Sequence, residues 1–290
     1  MAKRKKRAIT APTTIPNHKH EARYYRMFNT LLVTLNGEIS QSIRLRRALK
    51  RYNDALRRGG LPAANILQSA LLAAMASGER KAAKIAPEMA EKAIEPTAKQ
   101  NEIVWTKALR SQLGAAMSVR LMEKTRVSAS KELIERRAKQ VHLINDWTTA
   151  HYTNFQNNWN AAIRRAENTG KPVNLMEVAR KSIEAGQVPP NDKIRNRARL
   201  IARDQLSKTA SALDRKRARQ LGADFYQWRS VSDSRVRPDH REYHGKYFRK
   251  DGKQVDQNGK LIPGALATQD GEQPGDAVQC RCVAAWKLPI

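Results

Sequence analysis

Cysteine is nearly absent: Cys280 and Cys282 are the only two in 290 residues. One residue apart, they exclude a disulfide framework and fit a reducing compartment. Aromatic residues are scarce at 6%, so the rings that anchor large cores are few, although 40% hydrophobic residues suffice for folding. No apolar run approaches the roughly 18 residues that a membrane span needs, which excludes a transmembrane protein. The basic start Lys3-Arg4-Lys5-Lys6-Arg7 is followed by no apolar stretch, and Pro12 and Pro16 interrupt what comes next, so no secretory signal is expected. Acidic side chains are the last shortage: 27 Asp and Glu stand against 55 Lys and Arg, a formal net charge of +28. That imbalance points to a polyanionic partner. Binding to an anionic membrane would also need an apolar insertion face, so nucleic acid leads, with a solvated basic surface as the plain alternative.

The chain reads as α+β, a mostly helical body carrying a small C-terminal α+β unit, with no internal repeat. Residues 1–20 combine the basic cluster with two prolines and nothing that offsets the entropy of ordering, so they read as a flexible cationic arm. The helical body spans 21–190. From Glu21 to Arg58 the positions Met27, Leu31, Leu35, Ile39, Ile43 and Leu49 make one stripe on a single long helix, which Gly59-Gly60-Leu61-Pro62 ends. A second apolar segment, Ile66 to Met75, stops at Ser77-Gly78, and a third runs into Glu95-Pro96. Helix resumes through Trp105, Leu109, Leu113, Met117 and Leu121, then Ile134, Ala138, Val141, Trp147, Phe155 and Trp159; these are core positions before they are a ligand box. Gly170-Lys171-Pro172 breaks the chain, Leu175 to Ala185 forms a short helix closed by Gly186, and Asn191 caps a further helix that runs to Gly222.

The C-terminal unit occupies 191–290. Phe225 to Ser230 is a β-prone aromatic run, Lys246-Tyr247-Phe248 a second strand, Asp251-Gly252 and Asn258-Gly259 turn dipeptides, and Ala277 to Trp286 a last strand. Pro238 suits the first position of a short helix and Gly245 its end, so His240 and His244, four apart, share a face. A strand places Cys280 and Cys282 on one side. If the two elements meet, two imidazoles and two thiolates converge in a zinc-compatible set. The alternative is two surface histidines beside half-buried cysteines; a Cys280–Cys282 disulfide would be strained. Asp233 and Arg235 sit in a turn, where Arg235 can clamp a carboxylate such as Asp204 or Asp239, a fastening role ahead of a catalytic one. No nucleophile elbow, phosphate loop or zinc-protease pattern is present, while two histidines near an Asp also suit a metal-dependent nuclease.

Basic residues cluster four times: Lys3, Arg4, Lys5, Lys6 and Arg7; Arg46, Arg47 and Arg51 with Arg44, Lys50, Arg57 and Arg58; Arg195, Arg197, Arg199 and Arg203; and Arg215, Lys216, Arg217 and Arg219. Few aromatics interleave them, so phosphate neutralisation without sequence preference is expected rather than base stacking.

Taken in order, Ala202-Arg203-Asp204-Gln205, Trp228 with Asp233-Ser234-Arg235, His240 to Gly245 and Cys280-Arg281-Cys282 resemble the phage Mu protein F-like family of head morphogenesis, or minor capsid, proteins. The family pattern opens on a helix with Ala-Arg-(Asp/Thr)-(Gln/Glu). An aromatic strand with Trp and an Asp-x-Arg turn follow, then Cys or His before an acidic or polar residue and Gly, and a Cys-Arg-Cys end. The resemblance covers about Asn191 to Trp286, with the upstream helices alike only in character. His240 stands where many relatives have Cys, and His244 where an acidic residue is common, so no metal chemistry is carried over. The resemblance implies a non-enzymatic virion component inside the head, associated with the portal protein and contacting phage genomic DNA in packaging and ejection, and present in the host cytoplasm during assembly. A metal-dependent nucleic-acid or toxin-type enzyme carried in the virion is the alternative.

Overall fold

A computed structural model of the chain describes residues 8–60, 63–186, 193–231 and 233–289. The basic run Lys3 to Arg7 and the cap position Asn191 lie outside the described residues. The elements run β1 (Ala8–Thr10), α1 (His18–Gln41), α2 (Ile43–Arg57), α3 (Ala64–Leu113), α4 (Ala115–Thr169), α5 (Leu175–Gly186), α6 (Lys193–Gln220), β2 (Phe225–Arg229), α7 (Pro238–Tyr243), β3 (Tyr247–Arg249), β4 (Gln254–Val255) and β5 (Val283–Pro289). The class is the expected one, a mostly helical chain with a small C-terminal sheet. Among the described residues no helix is long and apolar enough to cross a membrane.

Four local expectations are corrected. Glu21 to Arg58 is two helices rather than one, because Ser42 leaves the helical conformation and its hydroxyl caps α2 at the Leu45 N–H (3.3 Å). Ser77-Gly78 and Pro96 do not stop a helix: α3 runs through both. Gly78 is instead a point of close approach, since a Cβ there would fall 1.6 Å from the buried Tyr152 hydroxyl. The buried stripe Ala82, Ala86, Ala90, Ile94, Thr97, Asn101, Trp105 and Leu109 repeats at three- and four-residue steps across Pro87 and Pro96, and burial of that stripe offsets the lost backbone bonds. The unforeseen break comes at Gly114, between α3 and α4. Finally, residues 8–20 are not a flexible arm, because Ala8–Thr10 is a strand of the sheet.

Two compact units form. Unit 2, Arg23–Ala93 with Arg137–Arg199, is helical. There α4 returns beside α3, with Arg137 at 3.0 Å from Glu91 and Tyr152 over Gly78. Phe28 packs on Trp147, and the buried His151 faces Asn36 Oδ1 at 3.1 Å. Burial without a charged partner pushes the His151 pKa down to about 4.

Unit 1 gathers Met1–Ala22, Ile94–Arg136 and Leu200–Ile290 around a five-stranded antiparallel sheet of order β1-β5-β2-β3-β4. Register sets Tyr226 opposite Trp286 and Phe248, so the alternation of the strands puts large rings on one face. That face closes on Trp105, Leu109, Ala218 and Leu221. Beside it Asp214, fully buried on α6, accepts from the Thr14 N–H (2.7 Å) and hydroxyl (2.9 Å), Asn101 Nδ2 (2.6 Å) and the Trp105 indole N–H (2.6 Å). Burial outweighs these donors and pushes the Asp214 carboxyl up to about 6.

Candidate functional site

The residues carrying the sequence pattern meet in unit 1, around the segment Val278 to Cys282. This segment precedes β5, so the cysteines do not sit on a strand as expected. Four braces hold it. Asp204 on α6 accepts from the Gln279 N–H, where the backbone takes the left-handed φ of 58°. Arg237 donates to Val278 O (3.0 Å). Arg281 Nη2 lies 2.6 Å from both oxygens of Asp233. The fourth brace is His240, whose Nδ1 is 3.6 Å from the sulfurs of both Cys280 and Cys282.

Each expected residue can now be placed. Asp204 also pairs with Lys208 (2.9 Å) and receives Gln205 Nε2 (3.2 Å), and Arg203 lies half-exposed 3.9 Å from Glu21. Arg235 does not clamp Asp204 or Asp239. Its backbone N–H turns back on Asp233 Oδ1 (3.0 Å), and it is Arg281 that holds the Asp233 carboxyl below the usual carboxylate range. Short range explains this: an Asp two residues before an N–H closes its own turn. Trp228, fully buried on β2, meets the His240 and Tyr243 rings edge-on, both at 5.0 Å. Gly245 has φ 79°, donates to Trp228 O (2.8 Å) and ends α7 as expected.

His244 is the misplaced member of the expected zinc set. Helix α7 ends at Tyr243, so His244 leaves the shared face, is exposed, and accepts the Ser230 N–H at Nδ1 (3.0 Å), with the Ser230 Oγ 2.9 Å from the same nitrogen. The structure supplies Glu272 instead, with Oε2 3.3 Å from His240 Nε2. Nothing in the sequence signals this carboxylate, which reaches His240 through a loop 32 residues away. The three donors His240 Nδ1, Cys280 Sγ and Cys282 Sγ are buried and grouped. The Cys282 thiol donates to Cys280, which lowers the Cys280 pKa and raises that of Cys282. The same three side chains border a cleft of about 250 Å³ flanked by Arg203, Arg235, Arg237 and Arg281.

The basic clusters divide. On α2, Arg44, Arg46, Arg47, Lys50, Arg51 and Arg57 are all exposed, as is Arg58 at its C-cap. The Arg215–Arg217 cluster is corrected as a DNA surface. Arg217 is buried and donates to Asn101 Oδ1 (2.8 Å) and Thr125 (2.7 Å); Arg215 pairs with Asp276 (2.6 Å), and Lys216 lies 3.6 Å from Glu132. Helical periodicity explains the difference, because this part of α6 is packed on more than one side.

Residues 174–285 match the family model described as phage Mu protein F like protein. An uncharacterised protein of Haemophilus influenzae strain Rd is 34% identical over 94 residues, which is 32% of this chain. The match spans 17% of that relative's length. No solved structure matches the chain.

Proposed function

Taking residues 174–285 as a phage Mu protein F like domain, we propose that the chain is a minor head protein: a structural, non-enzymatic part that associates with the portal and acts in head morphogenesis and DNA packaging. The observation that carries this reading is the family match, together with what the matched residues do. Asp204, Asp233 and Arg281 all bind within their own domain and fasten one loop. Residues spent on fastening serve a rigid docking unit. The rival, a metal-dependent nucleic-acid or toxin-type enzyme in the virion, needs an acid or base free to move a proton. Asp204, Asp233 and Glu272 each have an internal partner, which disfavours it.

The proposed place is the head interior near the portal, reached from the host cytoplasm during assembly, and the chain leaves with the genome at ejection. Genomic DNA is met by the exposed arginines of α2 and the N-terminal basic run, through phosphates and without sequence preference. The test is co-expression with a tagged portal protein and proteomics of purified virions. Co-purification and low-copy presence in virions are expected. A chain that neither binds the portal nor enters virions would sink the reading.

A further inference from the structure

The His240 side chain carries information that a fastening role leaves unused. Its Nε2 faces the Glu272 carboxylate at 3.3 Å. A carboxylate only accepts, so the neutral ring carries its proton on that side and turns the Nδ1 lone pair the other way. Two sulfurs lie there, each at 3.6 Å. One lone pair takes one thiol proton and the other thiol can turn to its neighbouring sulfur, but that arrangement does not require both sulfurs to stand equally far from one nitrogen. A common ion accounts for both. Sulfur at about 2.3 Å and nitrogen at about 2.05 Å from a tetrahedral centre stand about 3.6 Å apart.

The surroundings fit as well. The Gly275 N–H donates to Cys280 Sγ (3.4 Å). The Trp228 indole nitrogen is buried without an oxygen or nitrogen acceptor and interacts with Cys282. Buried N–H groups turned to sulfur stabilise thiolate charge, and a carboxylate behind a histidine is the usual support of a ligating ring. We propose that His240 Nδ1, Cys280 Sγ and Cys282 Sγ hold a zinc ion that locks the Val278–Cys282 segment to α7. Two thiolates and an imidazole select zinc over the oxygen-seeking cations. Among the described residues no fourth acidic, His or Cys side chain joins the three, and the arginine-flanked cleft gives the open position access to water. This site stands or falls independently of the head-protein reading.

The experiment loads the purified chain with zinc, measures bound metal, and then replaces zinc by cobalt(II). One metal per chain is expected, with a thiolate-to-cobalt charge-transfer band and slow reaction of both thiols until a chelator is added. His240→Gln and Cys280→Ser should abolish the band, Glu272→Gln should weaken binding by about 10–100-fold, and His244→Gln should leave it unchanged. If the variants fail to fold, the native chain decides by itself. A folded native chain without the band, whose thiols react at one rate with and without zinc, overturns the proposal, as does a His244→Gln variant that loses the metal.

Discussion

Asp214 in unit 1 and His151 in unit 2 are both buried titratable groups, and acid acts on them with opposite sign. Asp214 is held up at about 6, so the folded state keeps a proton that the unfolded chain gives up. Its contribution is present below the ordinary value of 3.8 and is lost as pH rises through about 6. His151 is held down at about 4 from 6.5, so the unfolded chain takes up a proton that the fold refuses. Its contribution is present above 6.5 and is lost as pH falls through about 4. The difference follows from construction. Unit 2 is helix against helix, where a buried imidazole needs only one amide partner. Unit 1 joins sequence-distant segments, and a buried carboxyl with four donors ties them together.

The sharpest way to break this contrast is Asp214→Ala. It strands the Thr14 N–H, Asn101 and Trp105 donors, each worth about 1–3 kcal/mol when buried and unpaired, so unit 1 should lose more than about 3 kcal/mol. Hydrogen exchange resolved by segment would show the loss in Ile94–Arg136 and Leu200–Ile290 while Arg23–Ala93 stays protected. Equal loss in both units would end the distinction. Next in size is pH itself. Between pH 6.5 and 4, acidification should strengthen unit 1 and weaken unit 2, each by about 2 kcal/mol, and Asp214→Asn should remove the rise in unit 1 alone. Gly78→Ala comes third, at about 1–3 kcal/mol through overpacking against Tyr152; chemical denaturation followed at Trp147 and Trp159 should report it. The smallest effect on stability belongs to α2. Replacing Arg46, Arg47 and Arg51 with Ala should leave melting unchanged and flatten the salt dependence of DNA binding by about 3 in log–log slope. An unchanged slope would remove α2 from the DNA surface.

The same contrast marks how far the residues could be read in advance. In unit 2 the periodic stripes were legible, because a helix writes its buried face into local spacing. Yet Gly78 looked like a stop, since its partner Tyr152 lies in another helix and a glycine used for close approach has the same letter as one used to end a turn. Pro96 misled for a related reason: the buried row from Ala82 to Leu109 carries the helix through it. In unit 1 the motif residues were legible as a set through family resemblance, and α7 through Pro238 and Gly245. His244 went wrong by a single residue of helix length. Glu272 and the anchoring of Thr14 were out of reach, because each depends on a contact across a long loop that no local pattern encodes. The spread of positive charge misled at Arg217, which turns inward to Asn101 and Thr125.

The pairing of Ala8 with Pro289 and of Tyr226 with Trp286 puts β5 between β1 and β2. During synthesis, everything in unit 2 has been made once residue 199 appears, whereas the sheet waits for residue 289. At about 5–20 residues per second, the ribosome needs roughly 5–20 s for that last stretch. For this interval Trp105 and Leu109 have neither Trp286 nor Leu288 to cover them, and β1 and β2 both lack their neighbour. The nascent chain therefore holds all the residues of unit 2 while Trp105 and Leu109 still lack these two core partners. A truncation anywhere before Val283 would remove β5 and leave β1 and β2 without the strand that lies between them.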